Sequence, residues 1–108
     1  MEKITNTVFT DFLESLKSRN LKLFAIICTV PNDLPSTHAV ENIKKVEADY
    51  RKDCCFYNFV LTDSLGTDET QIISVPTLLI FKNNELVKKV AGTLEPYDYK
   101  EIFENGIL

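Results

Sequence analysis

Ile72-Ile73-Ser74-Val75-Pro76-Thr77-Leu78-Leu79-Ile80-Phe81-Lys82-Asn83-Asn84-Glu85 is the stretch on which the fold turns. A proline stands at the head of an apolar run, where its missing N–H falls at the end of a strand ladder and not inside one. Residues 77–81 read as a strand and residues 85–90 as a second. The Lys82-Asn83-Asn84 segment between them reads as a tight hairpin, because asparagine tolerates the positive φ that such turns demand. Gly92 closes the hairpin.

Outward from this stretch the pattern alternates between helix and strand. Residues 8–16 carry apolar side chains at 8, 9, 12, 13 and 16, a helical stripe. Thr7 is the expected N-cap and Asn20 the stop. Residues 21–28 are almost unbrokenly apolar, as in a strand covered on both faces. From Ser36 to Tyr50 the helical period returns, with Ala39, Val40, Ile43, Val46 and Tyr50 on one face and Glu41, Lys44, Lys45 and Asp49 opposite. Residues 55–61 read as another buried strand. The polar stretch from Thr62 to Ser74 leaves room for a short helix around Asp68 to Ile72. Residues 96–105 place Tyr99, Ile102 and Phe103 on one helical face behind Pro96, which suits a first turn. Strand–helix–strand at this spacing implies a parallel pair with a right-handed crossover, and the closing hairpin adds antiparallel strands. The expected class is α/β, with a central mixed β-sheet and helices on both faces.

Composition narrows the function classes. A chain of 108 residues, 44% hydrophobic and 26% charged, is expected to form one globular domain over residues 1–108. The formal charge is −4 and the longest basic cluster is a doublet, Lys44-Lys45 or Lys88-Lys89, so nucleic acid is not an expected partner. No apolar run approaches the roughly 20 residues that span a bilayer, so no membrane partner is expected. The first residues lack the features of a signal peptide, which makes the cytoplasm the expected location. The three cysteines, Cys28, Cys54 and Cys55, form no C-x-x-C pair, and there is one histidine, so neither a zinc site nor any other cofactor is expected. Adjacent Cys54 and Cys55 would close only a strained ring, and free thiols are expected.

The segment from Ile72 to Glu85 resembles the C-terminal half of the thioredoxin family, which reads V-x-S-I/V-P-T-L-x-x-F-K-N-G-E, with Gly92 at the family spacing. The resemblance runs the length of the chain in element order, and identity concentrates after Ile72. It implies the thioredoxin fold, a cis bond before Pro76, and a backbone at Val75 free to pair with an extended peptide. Counting back from Tyr50, the family's W-C-G-P-C falls without a gap on Asn32, Asp33, Leu34, Pro35 and Ser36. Ile27 falls at the family's buried aspartate, and Asn58 at or beside its partly buried lysine.

These departures agree with one another. Disulfide exchange needs a thiolate and a resolving thiol. Asp33 is already an anion and Ser36 ionises far too weakly. Without that chemistry a buried carboxylate at position 27 is only a desolvation cost. Asp33 or Ser36 can instead cap the helix. The resemblance therefore implies a redox-inactive thioredoxin-like domain that binds a protein or extended peptide as a scaffold. The groove would comprise Asn32, Asp33, Leu34, Pro35, Ser36, Val75, Pro76, Ala91 and Gly92. The alternative is a monothiol oxidoreductase or peroxidase using Cys28 or an exposed Cys54 or Cys55; a purely structural subunit is a third reading. Cys28 is expected to be a buried thiol, since the helical pattern starts too far on to lower its pKa. One of Cys54 and Cys55 should point outward. His38 reads as a solvated helix position, and Asp63, Asp68 and Glu69 as a polar loop without the ligand spacing of a calcium site.

Overall fold

Strand β2, Leu23–Thr29, has all seven residues buried, and the other elements are arranged to cover it. The computed structural model describes residues 1–61 and 74–108. Along the chain β1 (Glu2–Ile4) and α1 (Phe9–Lys17) precede β2. It is followed by α2 (Leu34–Tyr50), β3 (Cys55–Val60), β4 (Thr77–Lys82), β5 (Glu85–Ala91) and α3 (Pro96–Ile102), which runs into a π-type turn over Phe103–Ile107. The expected short helix around residues 68–72 lies outside the described residues.

The five strands form one sheet in the order β1-β3-β2-β4-β5. β1 and β2 both run parallel to β3, while β4 is antiparallel to β2 and to β5. Alternation along β2 sends its side chains into two layers. Ala25 and Ile27 meet Ala39, Ile43 and Val46 of α2 and Tyr99 of α3. Phe24, Ile26 and Cys28 meet Phe9, Phe12, Leu13 and Leu16 of α1. Helices thus lie on both faces of a mixed sheet, as the pattern predicts. Among the described residues no helix is long and apolar enough to cross a membrane.

Three expectations need correction. Strand β1 is absent from the sequence reading: it is three residues long, and pairs Ile4 with Phe59 at the edge of the sheet. Thr7 is not the N-cap of α1; Val8 holds that position without a side-chain bond, and the Thr7 hydroxyl donates to the Thr5 carbonyl at 3.2 Å. The final α-helix stops at Ile102, and the backbone then departs from helical geometry at Asn105 and Gly106.

The β4–β5 hairpin turns on Asn83 and Asn84, whose φ values of 52° and 68° are the pair a two-residue type I′ turn requires. The Asn83 N–H donates to the Lys22 carbonyl at 2.9 Å and the Asn84 amide to the Lys17 carbonyl at 3.0 Å, which ties the tip to the end of α1. A β-branched residue in this backbone region costs about 1–2 kcal/mol. Asn83→Val should therefore lower unfolding stability by about that amount in urea denaturation while leaving the far-ultraviolet spectrum of the native state unchanged.

Candidate functional site

The start of α2 is held by its own side chains. Asp33 is extended (φ −122°, ψ 117°), and its Oδ2 accepts from the Ser36 backbone N–H at 3.1 Å and from the Ser36 hydroxyl at 2.7 Å. The Ser36 oxygen in turn accepts from the Val30 N–H at 3.3 Å. Asp33 is therefore the cap, and Ser36 is the buried residue that joins the cap to the preceding loop. Asn32 reaches this position with φ 56°. Leu34 and Pro35 occupy the first two helical positions, and Leu34 is 66% exposed.

Two hydrogen bonds bring distant loops to this helix start. The Thr93 hydroxyl donates to the Pro35 carbonyl at 2.8 Å, and the Gly92 N–H donates to the Pro76 carbonyl at 2.8 Å. The Val75–Pro76 bond is cis. Gly92 has φ 86°, a backbone conformation that side-chain-bearing residues rarely adopt. Behind this loop the Tyr99 hydroxyl donates to the Gly92 carbonyl at 3.3 Å and accepts from the Leu94 N–H at 3.2 Å, while the Asn42 amide donates to the Leu94 carbonyl at 2.8 Å.

The nine residues expected at the groove divide by exposure. Asn32, Leu34, Pro35 and Ala91 are exposed; Asp33, Val75 and Gly92 are half-buried; Ser36 and Pro76 are buried and support the surface from beneath. The backbone N–H and C=O of Val75 have no hydrogen-bond partner among the described residues. The sequence reading does not single out Thr93 or Asn42, and it places Tyr99 as apolar surface without a role for its hydroxyl. No local pattern marks them, since each acts through a bond to a residue fixed by tertiary structure.

The thiols lie elsewhere. Cys28 is fully buried on the α1 face of β2, and burial pushes its pKa from 9.0 up to about 12. Cys54 is buried in the opposite layer and its pKa is raised, first by burial and then by the negative charges of Cys55, Asp53 and Glu47. Cys55 is half-buried against the α1 layer. The expectation of an exposed cysteine in this pair is met only in part: both faces of the sheet are covered, so alternation moves the side chain from one layer to the other and leaves Cys55 half-buried, not fully exposed. All three cysteines are free.

Ile27 is fully buried in the α2 layer and is the cross-strand neighbour of Asn58, whose Oδ1 accepts from the Thr29 hydroxyl at 2.8 Å. His38 is exposed. Asp63, Asp68 and Glu69 lie outside the described residues.

No protein-family model matches the chain, and no curated protein sequence matches it. Among solved structures it is similar to a thioredoxin of Malassezia sympodialis, Mala s 13, described as a member of a pan-allergen family. The TM-score is 0.77 at 17% identity, over 99% of this chain and 93% of that one. The fold is that of thioredoxin.

Two outcomes follow from the geometry. Asp33→Ala removes a side-chain cap and should cost about 1 kcal/mol of stability in chemical denaturation. For Cys28 the folded-state pKa is raised, so the folded form keeps a proton that the unfolded chain loses. The stability this represents is complete below pH 9 and is lost as the pH rises from 9 through about 12. Cys28→Val should flatten the decline of the thermal midpoint across that window relative to the parent protein.

Proposed function

We propose that this chain is a thioredoxin-fold binding module without disulfide chemistry, and that it holds an extended protein segment in the groove between the α2 start, the Val75–Pro76 loop and the Gly92 loop. The observation that carries the proposal is the Asp33–Ser36 contact. On the resemblance, these residues take the two places of the reactive cysteines. Here a carboxylate and a hydroxyl hydrogen-bond to one another at 2.7 Å and cap the helix. Neither group can attack or resolve a disulfide at neutral pH. Ile27 fits the same reading, because a proton acceptor beneath the site would have no task.

The binding role is supported by what the groove leaves open. Among the described residues Val75 has no partner for its N–H and C=O, and Leu34 and Pro35 are exposed apolar surface; together these are what strand addition uses, backbone bonds for affinity and side-chain contacts for selection. The burial of Cys28 and Cys54 weighs against a monothiol enzyme, since desolvation keeps the nucleophilic thiolate scarce. A cytoplasmic setting, in which free thiols persist, belongs to the same proposal.

The protein should show no insulin-disulfide reduction above the dithiothreitol background. The double variant Asp33→Cys/Ser36→Cys should gain a measurable rate, because it restores a thiol pair at the helix start. Linear peptides selected by display on the parent protein should bind at least about tenfold more weakly to Leu34→Glu, the loss of roughly 1.4 kcal/mol. Reductase turnover by the unmodified protein, or peptide binding indifferent to Leu34, would overturn the reading.

A further inference from the structure

We propose that a second site, the cleft between β1, the carboxyl ends of β2 and β3, and the first half of α2, binds a small organic anion through Lys3 and Lys44. The proposal does not rest on the groove reading. The cleft has a volume of about 420 Å³, within the usual range for small-molecule pockets. Its position follows from topology. β1, β2 and β3 are parallel, so their carboxyl ends open at one edge of the sheet, and in open α/β sheets ligands sit in the crevice outside those ends.

The lining decides the ligand class. Lys3 comes from β1 and Lys44 from α2, and neither has an ion-pair partner among the described residues. Asn58 adds an amide whose oxygen accepts from the Thr29 hydroxyl and whose NH2 group is available as a donor. Against these donors the described lining sets one carboxylate, Glu41. Over the described lining the formal charge is positive, two lysines against one glutamate, in a protein whose net charge is −4. An acceptor-rich anion balances such a surface, and a cation does not.

The walls also carry Val40 and Val60, so the cleft offers apolar contact beside its charges, and its volume exceeds what a bare inorganic ion would fill. The ligand is therefore an anionic group, carboxylate or phosphate, on a compact apolar body. Lys3 and Lys44 receive the charge and the valines receive the body.

The test is a titration followed by amide NMR, using benzoate, phenyl phosphate and inorganic phosphate as separate probes. Each is taken to about 10 mM, enough to populate a site of millimolar affinity. Saturable shifts at Thr29, Thr37 and the Asn58 side-chain amide are expected with benzoate or phenyl phosphate, and comparison of the two separates carboxylate from phosphate preference. Lys3→Gln/Lys44→Gln should weaken that binding at least about tenfold, and the exposed Lys52→Gln should leave it unchanged. Added salt should weaken it as well, since both lysines are exposed. Shifts that spread over the surface without saturating, or saturable binding indifferent to the double lysine variant, would overturn the proposal. Inorganic phosphate binding as tightly as phenyl phosphate would overturn the organic part of it. Asn32 and Ser36 line both the cleft and the groove, but Leu34, which the peptide test probes, and Lys3 and Lys44, which this one probes, each belong to one site alone, so failure of peptide binding leaves these outcomes readable.

Discussion

Seven consecutive buried residues, Leu23–Thr29, impose the architecture. A strand of that kind needs a neighbour on each edge to bond its backbone and a layer on each face to cover its side chains. β3 and β4 supply the edges, one parallel and one antiparallel. α1 covers one face, and α2 with α3 covers the other. Each fully buried Leu, Ile or Phe side chain contributes on the order of 1.5–3 kcal/mol by leaving water. Phe24, Ile26 and Ile27 are buried completely within this single strand. The site is a by-product of that packing: the loop that leaves β2 must turn back to start α2, and Asn32 and Asp33 make that turn.

Position 27 shows how the core and the site constrain each other. It lies one strand away from Asn58 and beneath the helix start, and an aliphatic side chain there packs against α2 without any demand for solvation. A carboxylate in that layer would need a partner that the described residues do not provide. The polar residues that do sit near this end, Thr29 and Asn58, satisfy one another across neighbouring strands. At this end of the sheet, burial is apolar at Ile27 and polar at Thr29 and Asn58, where a bond is at hand.

The central elements were legible because their signals are local. An unbroken apolar run marks β2, a 3.6-residue period marks α2, and paired asparagines mark the hairpin. The resemblance carried by the segment around Pro76 supplied the family-level fold, and the TM-score of 0.77 agrees with it. What escaped was set by tertiary context. Glu2-Lys3-Ile4 has one apolar residue in three, and becomes a strand only because Tyr57, Asn58 and Phe59 present an open edge. One of Cys54 and Cys55 was expected to point outward on a rule of alternation that presumes one wet face, but Cys54 is buried in one layer and Cys55 half-buried against the other. Tyr99 was recognised as apolar surface, but its hydroxyl reaches the Gly92 and Leu94 backbone, a role that no spacing along the chain announces.

That tyrosine has a consequence for how the groove behaves as a surface. Its ring is locked in the core and its hydroxyl holds the Gly92 loop, while Thr93 joins the same loop to Pro35. The walls are therefore preorganised, and the entropy of ordering them is lost when the chain folds and not when a partner arrives. In the proposed complex, nearly all of the remaining entropic penalty would then fall on the incoming segment. Between two segments of equal composition, the one already biased toward an extended conformation would associate more tightly, and stiffness would rank candidate partners as much as sequence does.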